Sequence, residues 1–169
     1  MRIVEGIAEV TDLEAFLGDL DGIADQTDCT VQAFDARYVV GREHLTRAVE
    51  LADRAIDRGE NVARDRGVEI MLYAAGRRQI DRALEMGVSE GEGPVVVLVD
   101  SPSGDEEAER DAAERVRGLL DPAEALGPEY ADPDLVREFF DVSAAELTAT
   151  AGDLSNLVLE RVALLAVDR

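Results

Sequence analysis

The sequence predicts an α/β protein: a small mixed β-sheet packed by several helices, ending in a helical C-terminal segment. Three observations carry that reading. Short β-prone runs recur at residues 2–10, 29–35 and 94–100. Amphipathic stripes of helical period lie between them. All five prolines fall after residue 93, where the chain turns to short helices and loops. A length of 169 residues suits one domain with one core, and no linker forces a split, so 1–169 is expected to be a single unit.

Residues 2–10 carry Ile3, Val4, Ile7 and Val10 and read as the first strand. Thr11 and Glu14 stand at capping-box spacing, and Leu13, Phe16, Leu17, Leu20 and Ile23 follow at helical spacing, giving a helix over 12–25. The alternating, β-prone segment 29–35 is a second strand. Gly41 precedes a helix over 42–58, whose stripe is Leu45, Ala48, Val49, Ala52, Ala55 and Ile56, with Gly59 as its stop. The apolar run 68–74 is ambiguous by periodicity. Gly76 interrupts it and the pattern changes afterwards, so it is assigned to a strand. Ile80, Ala83 and Leu84 then read as a short helix ending at Gly87.

Pro94–Asp100 is continuously apolar up to Asp100, which predicts a strand central in its sheet. Ser103 and Glu106 form a second box opening an acidic helix that ends near Leu120. Residues 121–133 are loop. Short helices fit 133–140 and 143–150, the second capped by Ser143 and Glu146. The terminal helix, 153–167, carries apolar residues almost all the way round, and such a helix must be covered on every side.

Acidic residues number 38 against 17 basic ones, a net charge of -21, and every basic side chain is Arg. A disordered acidic chain is excluded by the spaced apolar faces. The composition instead fits a cytoplasm holding molar salt, where the Debye length falls to roughly 3 Å and carboxylates no longer repel one another at range. One cysteine, Cys29, excludes an internal disulfide. No zinc spacing, signal peptide or membrane-length apolar run occurs, so a cytoplasmic location is expected, with no cofactor and no metal.

Chemistry can be sought at Gly76-Arg77-Arg78-Gln79-Ile80. A glycine between strand and helix would leave free amides at a helix start, and two arginines would add donors for phosphate. On pattern alone this is either an anion seat or a surface turn with two solvated arginines. Residues 54–82 hold seven arginines and five acids, a local balance of +2 where the rest of the chain carries -23. Such a relatively basic island is a candidate contact for nucleic acid. Molar salt weakens the phosphate contribution, so binding there leans on stacking and apolar contact, for which Ile80 is suited. The surplus apolar face of the terminal helix is either core or a docking surface.

Catalytic candidates are weak. Cys29 reads as a buried thiol, His44 as a solvated or capping residue, and the many carboxylates as surface. No nucleotide-binding loop, nucleophile elbow or zinc-protease motif is present. An alternative remains a small enzyme whose Arg77/Arg78 pocket holds a phosphorylated metabolite.

The stretch Val68-Glu69-Ile70-Met71-Leu72-Tyr73-Ala74-Ala75-Gly76-Arg77-Arg78-Gln79-Ile80, followed by Ala83-Leu84 and Gly87-Val88, resembles the small accessory subunit of the KEOPS complex, the PRPK-binding protein (TPRKB) family. Val40-Gly41, His44-Leu45, Ala48 and the closing Glu160–Leu165 segment are similar to archaeal members. The resemblance implies a noncatalytic subunit of the assembly that makes threonylcarbamoyl-adenosine in tRNA. Such a subunit docks on the kinase/ATPase subunit and binds the single-stranded 3′ CCA tail. By position, Arg64, Gly76, Arg77, Arg78, Gln79 and Ile80 would form the tail surface. Leu157, Arg161 and Leu164 on the terminal helix would meet the kinase.

Overall fold

A computed structural model describes residues 1–149 and 153–167. The α/β class holds, and the chain forms two compact units.

The first unit joins Met1–Ala36 to Gly87–Ala125. It holds β1 (Arg2–Val10), α1 (Leu13–Thr27), β2 (Thr30–Asp35), β3 (Gly91–Asp100), α5 (Glu106–Arg117) and β4 (Asp121–Pro122). Strand order is β2-β3-β1-β4, so the apolar run expected to be central does lie inside the sheet. A mixed sheet was expected, but every pairing is antiparallel: Arg2 faces Val99 at one end of the β1–β3 ladder and Val10 faces Gly91 at the other. The cause is the connections. Through α1 and α5 the chain returns a strand parallel to the one before it, but in each case a third, antiparallel strand lies between the two. Val95, Val97 and Val99 pack with Leu20 and Ile23 of α1 and Ala112, Ala113 and Val116 of α5. Burial stabilises each of the larger side chains by about 1.5–3 kcal/mol. Gly6 is required where β4 joins, because a Cβ there would stand 2.6 Å from the Asp121 carbonyl oxygen.

Two capping boxes give way to aspartates. Asp12, not Thr11, caps α1 by accepting the Ala15 amide, and Asp105, not Ser103, caps α5 by accepting the Glu107 and Ala108 amides. Aspartate competes at least as well as Ser or Thr for this position, so the box spacing misplaced each start. The α5 helix also stops at Arg117, short of Leu120.

The second unit comprises Arg37–Met86 and the segment from Leu126 onward. It contains α2 (Arg42–Asp57), α3 (Arg66–Ala75), α4 (Ile80–Ala83), a 3-10 turn at Leu84–Met86, α6 (Pro133–Phe139), α7 (Ala144–Ala149) and α8 (Leu154–Val167). Thr150, the expected end of α7, lies outside the described residues. The segment 68–74 is helix, not strand. Asp65 caps it by accepting the Val68 amide, and Gly76 ends it in the left-handed region at φ 61°. Every residue from Glu69 to Ala75 is buried, so this part of α3 has no exposed face. On α8, Leu157, Val158, Val162 and Leu165 face inward, while Leu164 and Val167 are 43% and 75% exposed. Among the described residues the terminal helix is therefore not covered on every side.

Candidate nucleic-acid interface

The Gly76 bend is a helix end rather than a helix start. Gly76 donates its amide to the Tyr73 carbonyl at 3.0 Å, and Arg77 donates to Leu72 at 3.0 Å. The amides expected to receive an anion are thus spent closing α3, at the pole that carries partial negative charge. A Cβ at Gly76 would lie 3.5 Å from the Arg161 carbonyl oxygen of α8. Arg77 turns inward: its guanidinium donates to the Phe139 carbonyl and lies 5.2 Å from the centre of the Phe139 ring. The phosphate pocket imagined around Arg77 and Arg78 therefore lacks one of its two arginines.

Beyond the bend the chain opens to solvent. Arg78, Gln79 and Ile80 are exposed, Ile80 by 41%. Leu84, 54% exposed, follows four residues after Ile80, so the two form one apolar edge. Arg82 is exposed beside them and pairs with Glu85 at 3.4 Å. A groove of about 230 Å³ adjoins this segment, lined by Tyr38, Arg82, Glu85, Leu135, Glu138 and Phe139. Sequence reasoning missed Arg82 and Leu84 as site residues. The 80/84 spacing was the available signal. Tyr38, Leu135 and Phe139 come from distant segments and left none.

Arg64 sits apart from this set. It precedes Asp65 at the start of α3, and ten helical residues span about 15 Å, so it lies a helix length from Gly76. Its loop is held by the buried carboxylate of Glu69, whose Oε2 accepts the Val62 and Ala63 amides at 3.1 and 2.8 Å. Arg66 is bound in two-pronged fashion to Asp53, at 2.8 and 2.9 Å. Asp53 lies one residue outside the basic window counted above, so the island is less basic in space than in sequence.

The three residues expected at the kinase surface part company. Leu157 is buried at 4%, inside the second unit. Arg161 donates to the Phe140 and Asp141 carbonyls, each at 3.2 Å, and to the Glu146 carboxylate at 2.6 Å. That hydrogen bond holds the Glu146 carboxyl below its ordinary range. Leu164 alone presents its side chain outward.

His44 is wholly buried rather than solvated. Its Nδ1 accepts the Val40 amide at 3.3 Å, and its Nε2 donates to the Ala74 carbonyl at 2.7 Å. It is no cap either, since the start of α2 has no side-chain cap; the ring ties the Val40 amide before α2 to the Ala74 carbonyl of α3. Burial pushes its pKa down to about 4. Cys29 is buried as expected, and burial pushes its thiol up. Among the described residues no cluster of His, Cys, Asp or Glu is placed to hold a metal, and no helix is long and apolar enough to cross a membrane.

A family model described as kinase binding protein CGI-121 matches residues 7–166. No curated protein matches the chain.

Proposed function

Since the chain belongs to the CGI-121 family of kinase-binding proteins, we propose that it is the noncatalytic accessory subunit of a KEOPS tRNA-modification complex. In this reading it docks on the kinase/ATPase subunit and holds the single-stranded 3′ CCA end of tRNA. The observation that carries the RNA half is the exposed edge of Ile80 and Leu84 beside Arg78 and Arg82, next to a groove with two aromatic side chains that Arg82 and Glu85 of the same segment line. An apolar edge beside guanidinium groups suits unstacked bases with a backbone running past them. It also suits a molar-salt, archaeal cytoplasm, where phosphate attraction is largely lost and base contacts must supply the affinity. The proposed tail surface is Arg78, Gln79, Ile80, Arg82 and Leu84. Gly76 and Arg77 shape it from behind, and Arg64 serves only a strand long enough to run the length of α3.

The kinase half rests on α8. Leu164 and Val167 form an exposed apolar face, and a protein partner would bury it.

The test is binding of tRNA, with and without its CCA end, to wild type and to Ile80→Glu in molar salt. Removing the tail and introducing the charge are each expected to weaken binding by about tenfold or more, equivalent to about 1.4 kcal/mol. Ile80 is 41% exposed, so the variant should remain folded. Unchanged binding after both changes would remove the tail site.

A further inference from the structure

The carbonyl groups closing α6 are gripped from two directions. Arg77, next to the Gly76 bend, donates to the Phe139 carbonyl and stacks on the Phe139 ring. Arg161, on α8, donates to the two following carbonyls, Phe140 and Asp141. Three successive acceptors at a negatively polarised helix end are thus taken by two guanidinium groups. Asp141 stands there in the left-handed region, φ 59°, which residues other than glycine seldom occupy. The two grips also meet each other, since the Arg161 main chain packs beside Gly76.

What the clamp fixes is aromatic. Phe139 and Phe140 stand at 5.0 Å in edge-to-face contact. Phe139 meets Tyr38 at 5.3 Å, and Phe140 meets His44 at 5.7 Å. Tyr38 and Phe139 are the aromatic walls of the groove beside α4. A shift of the α6 end would carry Phe139 with it and change the groove's width.

We propose that Arg77 and Arg161 are positioning residues for the RNA groove, acting through the α6 end rather than by touching the ligand. This rests on the RNA-binding reading above. Arg161, on the helix proposed to meet the kinase, then serves the opposite surface from the one its position in sequence implies. The proposal separates two kinds of arginine by salt dependence. A side chain that neutralises a phosphate of a single strand contributes about 0.7 to the slope of log affinity against log salt. A positioning side chain lowers affinity and leaves that slope alone.

The experiment measures affinity for a short single-stranded RNA ending in CCA, across a salt series in which the fold is kept. The proteins are wild type, Arg77→Met, Arg161→Met, Arg78→Ala and Leu20→Ala. The last removes a buried side chain of the first unit and controls for lost stability. Fluorophenylalanine at the four Phe positions reports ring environment by fluorine NMR. Arg77→Met and Arg161→Met are expected to weaken binding by about tenfold, the scale of one lost contact. Their salt slopes should be unchanged, and the Phe139 and Phe140 signals should move while those of Phe16 and Phe34 stay. Arg78→Ala should lower the slope by about 0.7, and Leu20→Ala should bind as wild type. If Arg161→Met does not fold, Arg161→Lys replaces it, because an ammonium cannot span both carbonyls. Wild-type affinity, a reduced slope or unmoved Phe139 and Phe140 signals in the Arg161 variant overturn the proposal, while sensitivity to Ile80→Glu keeps the RNA reading intact. A wild-type chain that fails to bind the probe overturns both.

Discussion

His44 gives the prediction most directly worked from structure. The ring is fully buried, neutral at pH 7, and bonded through both nitrogens, to Val40 and Ala74. Its folded-state pKa is about 4, against 6.5 for the free side chain. The folded value lies below the unfolded one, so between pH 6.5 and 4 it is the unfolded chain that takes up the proton. Stability contributed by the neutral ring is complete above the unfolded pKa and is lost as pH falls. Linkage gives a loss of about 1 kcal/mol by pH 5.5 and about 3 kcal/mol by pH 4. His44→Leu removes the titration but leaves the Val40 amide and the Ala74 carbonyl without partners, at about 1–3 kcal/mol each. Wild type should therefore lead the variant by a few kcal/mol at pH 7, and the lead should shrink as pH falls toward 4.5. Urea unfolding of both proteins in molar salt measures the gap, in which the shared carboxylate titrations cancel. A gap that stays constant from pH 7.5 to 4.5 would refute the assignment of a buried neutral imidazole.

Other outcomes follow from the same geometry. Glu69→Ala should cost about 3 kcal/mol in denaturant unfolding, because two amides lose a charged acceptor, and Glu69→Gln should cost less. Gly76→Ala should lower the unfolding free energy by about 1–2 kcal/mol, since φ 61° must be held by a residue with a Cβ. The thermal midpoint should rise steadily as salt is raised from about 0.1 M, where the Debye length is about 10 Å, to about 1 M, where it is about 3 Å. A protein equally stable in dilute buffer would contradict the salt-adapted reading of the -21 charge. Leu164→Asp should abolish co-purification with the kinase subunit while shifting stability by no more than about 0.5 kcal/mol, as expected for an exposed position. Retention of the partner would move the docking surface off this face.

The residues legible from sequence were those whose neighbours in space are also neighbours in chain. The alternation of β1 and β2, the stripe on α2 and the valine run of β3 each report a face, because side-chain direction follows backbone period. The exposed Ile80 at the start of α4 was legible for the same reason. The α3 helix was not. Burial of every residue from Glu69 to Ala75 erases the polar face that reveals a helix, and only its ends, Asp65 and Gly76, carried the information.

The sequence by itself determined the α/β class, the acidic, all-arginine composition and the interior place of β3. Tertiary structure alone decided what Arg66, Arg77 and Arg161 do. Arg66 answers to Asp53, Arg77 to Phe139 and Arg161 to Phe140, Asp141 and Glu146. A guanidinium group reaches whichever carbonyl or carboxylate the fold brings within 3 Å or so, and that partner is set by packing across tens of residues, not by spacing along the chain.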